Sequence, residues 1–177
     1  AQLFSDLRPE VVVSVADRHE TIATAIAASY QHIPLAHLQG GERTGSIDDK
    51  VRHAVSQLAD LHFPATETAA ARLRSHDVKG AIFTYGCPSI DLAARVEPDR
   101  AYANTIIVLQ HPVTGEVHDA RAQVEATYRA VTSFREHKIV WFWPGQDAGT
   151  EAIAKFLREK EHAHRTIEFR RHLPALS

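Results

Sequence analysis

Two rhythms alternate along this chain. Short runs of β-branched and other apolar residues take turns with longer stretches whose apolar positions recur every three to four residues. The first pattern suits strands and the second amphipathic helices. "EVVVSVA" (Glu10–Ala16) predicts a strand and "TIATAIAASY" (Thr21–Tyr30) an alanine-rich helix. "IPLAHL" (Ile33–Leu38) predicts the next strand, followed by a glycine-rich loop and a helix over Asp48–Asp60. Ser46 with Asp49 resembles a capping box at that helix start, the Asp standing for the usual Glu. A third strand is expected at Leu61–Thr66, with Thr66 capping a helix through Arg74, and a fourth at Ala81–Tyr85. Val96–Asn104 lacks periodicity and reads as a connector. The rhythm then resumes with strand Thr105–Leu109, helix Val117–Glu136, strand Lys138–Trp143, helix Thr150–Lys160 and strand Thr166–Arg170.

Strands alternating with helices across short loops predict parallel sheets with crossover helices, an α/β fold. In such sheets ligands bind outside the carboxyl ends of the strands. The unusual polar residues fall there. Asp17 and Arg18 follow the first strand, and His37 to Glu42 end the second. His111 follows the strand at Leu109, and Gln146 and Asp147 follow the strand at Trp143. Their presence in both halves predicts a cleft between two domains.

Composition narrows the class. With 177 residues, 44% hydrophobic and 24% charged, the chain is an ordinary globular protein of one domain or two small halves. A net charge of −2 implies no general pull toward nucleic acid or membrane. The single cysteine, Cys87, excludes an intrachain disulfide framework and fits a reducing compartment, so the cytoplasm is expected. Lying between a strand and Pro88, it reads as a small packed side chain. No apolar run approaches the roughly 18 residues of a membrane span. The chain has no methionine and opens in mid-unit, so it reads as an excerpt of a longer polypeptide.

The densest chemistry lies in "HLQGGERTGSIDDKVRHA" (His37–Ala54). Its glycines let backbone N–H groups approach a ligand, and the helix after Ser46 offers a partly positive N-terminus to an anion. Glu42 and Asp48 are candidate proton-transfer groups; the plainer reading is a turn with a charged helix cap. In "ADRHE", Arg18 suits a phosphate and Asp17 a proton or a sugar hydroxyl, against a simple helix-leading ion pair. Asp48 and Arg52 stand four apart and would form an ordinary helix pair, while His53, turned about 100° from Arg52, reads equally as a buried histidine. His111 in "QHPVTGE" suits a phosphate or leaving group, or simply ends a strand. Asp147 in "PGQDAG" is available to a ribose hydroxyl or base; neither a dinucleotide fingerprint nor a P-loop spacing is present. The twelve histidines raise a metal reading, with His37, Glu42, Asp48 and His111 as the set, yet no metal-ligand spacing occurs and no metal or cofactor is expected. His162 and His164, and "RRH" at 170–172, read as solvated.

Taken together, "ADRHE", "HLQGGERTGSIDDKVRHAVSQLADLHF", "YGCPSID", "LQHPVTGE" and "WPGQDAG" resemble, in order and spacing, the hydrolysing UDP-N-acetylglucosamine 2-epimerases. "GGERTGSIDDKVRHA" resembles the hydrolysing branch; non-hydrolysing epimerases typically carry "EAGLRT"-like and "HRRE"-like segments where this chain reads "QGGERT" and "QHPVT". The resemblance implies two Rossmann-like parallel-sheet halves of a GT-B-type fold. Residues 1–95 would be the later part of the N-terminal domain, 96–104 a connector, and 105–177 the first part of the nucleotide-binding domain. The family's N-terminal glycine-rich segment and its later serine/glycine/glutamate stretch are absent, Ala16 replaces a usual Gly, and Gly145 a common Asn.

The implied reaction converts UDP-N-acetylglucosamine and water to N-acetylmannosamine and UDP. Elimination of UDP leaves a glycal, which water then hydrates. Asp17, Glu42 and Asp48 are the expected acid and base, in no fixed assignment. Arg18, Arg52 and His111 are expected at the diphosphate, with His37, His53 and Asp147 as further substrate contacts. The expected partner is this or a related UDP-sugar, with diacetamido sugars open, and a homo-oligomer is expected. A non-hydrolysing epimerase and a truncated non-catalytic fragment are the alternatives.

Overall fold

A computed structural model describes residues 1–97, 99–161, 163 and 167–171. The expectations at Thr166, His162, His164 and His172 lie outside these residues. The chain divides into two compact units, Ala1–Glu97 and Pro98–Ser177.

The first unit opens on a short helix, α1 (Gln2–Leu7), and then alternates β1 (Val12–Val15), α2 (His19–Tyr30), β2 (Leu35–Leu38), α3 (Asp48–Leu58), β3 (Leu61–Phe63), α4 (Glu67–Ser75) and β4 (Ala81–Ile82). A short helix, α5 (Pro88–Ala93), follows. The four strands are parallel and lie in chain order, β1-β2-β3-β4. Right-handed crossovers between sequential parallel strands put the connecting helices on one face. Burial follows that rule: Val12 and Ser14 of β1 are buried, whereas Val13 and Val15 are exposed. The core gathers Val12, Leu35 and Val55 around Ala25, Ala28 and Ala59. Alanine on α2 lets that helix lie close to the sheet, which explains its alanine-rich sequence.

The second unit contains β5 (Thr105–Leu109), α6 (Ala120–Thr132), β6 (Lys138–Phe142), α7 (Thr150–Lys160) and β7 (Ile167–Arg170). Its strands are again parallel, in the order β5-β6-β7. Trp141, fully buried, packs with Tyr128, Phe156 and Phe169.

Several boundaries differ from expectation. The helix expected from Val117 begins as a 3₁₀ turn, Val117–Asp119, and α6 ends at Thr132. There the Thr132 hydroxyl donates to the Tyr128 carbonyl at 2.8 Å and the Ser133 hydroxyl to that of Ala130 at 2.7 Å. Such back-bonding competes with helix continuation. β4 pairs only through its first residues because Phe83, whose N–H reaches the His62 carbonyl, leads into a stack of Phe63, Phe83 and Tyr85. Helices α1 and α5 had no apolar period to announce them; each spans six residues and buries none.

The cap at Thr66 forms, its hydroxyl accepting from the Ala69 N–H at 3.1 Å. Thr66→Ala should lower unfolding free energy by about 1 kcal/mol. Urea unfolding would show this as a lower midpoint at constant slope, and an unchanged midpoint would contradict it.

Candidate functional site

At the carboxyl edge of the first sheet lies a recess of about 360 Å³ lined by Ala16, Asp17, Gln39, Glu42, Arg43, Thr44, Arg52 and Ala65. These residues come from the ends of β1, β2 and β3 and from α3, where a parallel sheet places its ligands. The loop between β2 and α3 forms one wall. Gly41 takes φ 79° there, and a Cβ on it would stand 2.3 Å from the Ala69 carbonyl oxygen of α4. Only glycine fits.

Arg52 is the centre of the arrangement. It is 3% exposed, and its guanidinium is ion-paired with Asp17 and with Asp49, at 2.6 Å for the latter. It also donates to the Glu42 carbonyl at 2.9 Å. Burial lowers its pKa, yet an arginine remains cationic. The Asp48–Arg52 helix pair expected from spacing does not form: Arg52 turns inward, and the Ser46 hydroxyl donates to Asp48 at 2.7 Å. The capping box is also shifted. Asp49 accepts from the N–H groups of Thr44 and Gly45, both at 2.8 Å, while Ser46 Oγ accepts from the Asp48 N–H at 3.2 Å. Burial works to raise the Asp49 pKa, but these N–H groups and the Thr44 hydroxyl outweigh it, so the net shift is downward.

The structure therefore brings Asp17, Glu42 and Arg52 to one recess. Asp48 lies in the first turn of α3, outside the lining residues. Arg18 is exposed, its Nε 3.5 Å from Glu20, at the start of α2. His37 and His53 are both engaged by groups of the protein. His37 has no exposed surface: Nε2 meets the Ala16 carbonyl at 2.9 Å and Nδ1 the Ser56 hydroxyl at 3.0 Å. Both ring nitrogens are thus engaged inside the unit. His53 packs edge-on against His76, ring centroids 4.7 Å apart, because its side of α3 faces α4. Among the described residues, no group of three or more His, Cys, Asp or Glu stands close enough to hold a metal ion.

Sequence reasoning passed over Gln39, Arg43 and Thr44, although all three stand in the quoted loop. Gln39 has a left-handed φ of 61°, and its amide donates to Cys87 Sγ at 3.3 Å. Hydrogen bonds from Ser89 lower the Cys87 pKa.

The second unit makes its own polar cluster after β5 and β6. The Gly145 N–H donates to His111 Nδ1 at 3.2 Å, and an Asp147 oxygen stands 3.6 Å from the same nitrogen. The shorter contact uses a lone pair on Nδ1. Thr150 braces the loop, donating to the Gly145 carbonyl at 2.7 Å and accepting from the Asp147 N–H at 3.1 Å.

Two consequences can be measured. Arg52→Met should cost about 1–3 kcal/mol by leaving two half-buried carboxylates without their cation. An unfolding free energy within 1 kcal/mol of the parent would contradict this reading. Burial lowers the pKa of both His37 and His53. The unfolded chain then takes up protons first on acidification, so stability is fully present above about pH 6.5 and is lost as pH falls through the lower folded values. Urea unfolding between pH 7.5 and 5.5 should show the decline, and a flat profile would contradict it.

The family model for UDP-N-acetylglucosamine 2-epimerase matches residues 1–176. A Legionella pneumophila UDP-N,N'-diacetylbacillosamine 2-epimerase (hydrolyzing) is 32% identical over 173 residues, covering 89% of this chain and 45% of that protein. A Neisseria meningitidis UDP-N-acetylglucosamine 2-epimerase is 30% identical over 184 residues, covering 96% of this chain and 48% of its own length. The chain thus spans about half the length of these relatives. Among solved structures, the S. aureus MnaA–UDP co-structure superposes with a TM-score of 0.76 at 20% identity, over 97% of this chain and 49% of that one. The Neisseria meningitidis UDP-GlcNAc 2-epimerase bound to UDP-GlcNAc gives 0.74 at 18%, over 99% and 52%. These likenesses carry the fold, which is the expected α/β class with Rossmann-like parallel-sheet halves of GT-B type. Among the described residues no helix is long and apolar enough to cross a membrane. From the match along nearly its whole length, the chain belongs to the UDP-N-acetylglucosamine 2-epimerase family.

Proposed function

We propose that the chain carries the proton-transfer chemistry of a hydrolysing UDP-N-acetylglucosamine 2-epimerase, which turns UDP-N-acetylglucosamine and water into N-acetylmannosamine and UDP. The observation that carries the reading is the recess that unites Asp17, Glu42 and Arg52 at the strand ends. The motif "GGERTGSIDDKVRHA" and the hydrolysing relative in Legionella support it.

In this reaction a carboxylate removes the C2 proton while the C1–O bond breaks and its electron pair leaves with UDP. C1–O cleavage running ahead builds positive character at C1, which makes that proton removable. Water oxygen then adds to C1 of the glycal, giving up one proton to a carboxylate, while an acid returns a proton to C2 on the opposite face. Asp17 and Glu42 share the recess for these two transfers, with Asp48 at the adjoining helix start. Because Arg52 is engaged by two carboxylates, the diphosphate is assigned to Arg43 at the recess and to Arg18 at the start of α2, both exposed. The same reading gives a homo-oligomeric cytoplasmic enzyme of sialic-acid-type sugar biosynthesis that needs no cofactor.

Proton NMR of UDP-N-acetylglucosamine with the protein in heavy water tests it. Free N-acetylmannosamine deuterated at C2, together with UDP, is expected. A sugar epimerised while still joined to UDP would mean a non-hydrolysing enzyme, and unchanged substrate would contradict turnover by this chain. Glu42→Gln and Asp17→Asn should each reduce kcat about 100-fold or more. Full activity in both would remove the carboxylates from the mechanism.

A further inference from the structure

Ala16 follows β1 with φ 59°, a left-handed conformation that costs a residue with a Cβ of the order of 1 kcal/mol. Its N–H still donates to the Leu38 carbonyl at 2.9 Å, closing the β1–β2 ladder. Its own carbonyl turns into the unit and meets His37 Nε2 at 2.9 Å. A carbonyl only accepts, so Nε2 carries the proton, and Nδ1 accepts from the Ser56 hydroxyl at 3.0 Å. Ser56 stands one turn beyond Arg52 on α3, on the same face. One helix thus grips the Asp17 turn twice, by its guanidinium on the carboxylate and by the Ser56–His37 pair on the preceding carbonyl. The recess loop closes onto the same pair: a Cβ on Gly40 would lie 2.9 Å from Ser56 Oγ and 3.0 Å from His37 Nδ1.

We propose that His37 is a positioning residue for Asp17, acting with Ser56 to lock Ala16 in the left-handed turn that aims the carboxylate into the recess. This rests on the proposed role of Asp17 for its catalytic consequence, but the lock itself is a property of the fold. It also gives the buried imidazole a task that a phosphate contact cannot, since neither nitrogen is accessible.

The experiment compares His37→Leu, the milder Ser56→Ala, and His37→Leu combined with Ala16→Gly. Amide hydrogen exchange is read first, in the chain as it stands. Exchange at Ala16 should accelerate at least tenfold in His37→Leu, and detectably in Ser56→Ala, relative to the Val12 amide at the other end of β1. In turnover, His37→Leu should lower kcat tenfold or more at nearly constant KM, as displacement of a reacting group does. Glycine at position 16 should then recover most of that loss, because it takes the left-handed turn without a clamp. A purely structural histidine would show no such relief. Unchanged exchange at Ala16 in both single variants overturns the proposal, as does a kcat loss that glycine fails to relieve. Absence of turnover in the parent would count against the proposed function, and the exchange result would still decide the lock.

Discussion

The recess depends on one buried cation. Arg52 projects from α3 into a space where two carboxylates and a backbone carbonyl meet it, and it is nearly sealed from water. Such an arrangement is not a large source of stability, since desolvating the charges offsets much of their attraction. Its value is geometric. Asp17 comes from the end of β1, Asp49 from α3 and Glu42 from the intervening loop, and the guanidinium fixes all three in one frame. A planar fork of donors suits that task better than the single flexible ammonium of a lysine.

That frame also divides labour among the charged residues. Arg52 is committed to the protein's own carboxylates, whereas Arg43 stands exposed at the same recess. His37 falls on the buried side, although its residue type suggested an exposed one. The second unit has a simpler cluster, in which Gly145, Asp147 and Thr150 shape the loop after β6 and His111, after β5, accepts from it.

The α/β class and the strand-end position of the polar residues were legible in the sequence because periodicity survives in single stretches of chain. β5 and α7 match their expected bounds, each being a clean run between punctuating residues. Helices α1 and α5 bury nothing and so wrote no period. Partner choice was less legible. Spacing on a helix paired Asp48 with Arg52, yet the inward turn of Arg52 depends on the turn after β1 bringing Asp17 to α3, a contact 35 residues distant in sequence. Whether a histidine is buried depends in the same way on register: Ser14, His37 and His62 stand side by side across three strands on the helix-covered face. Local composition carries no trace of that row.

The central claim is that Arg52 and Asp17 act as one unit across that distance. A double-mutant cycle measures it most directly, using Arg52→Met, Asp17→Asn and their combination, with unfolding free energies read by urea denaturation. Residues sharing a buried ion pair should show a coupling of about 1–3 kcal/mol. Additivity within about 0.3 kcal/mol would mean that the guanidinium does not hold the Asp17 carboxylate, and the frame described here would not stand.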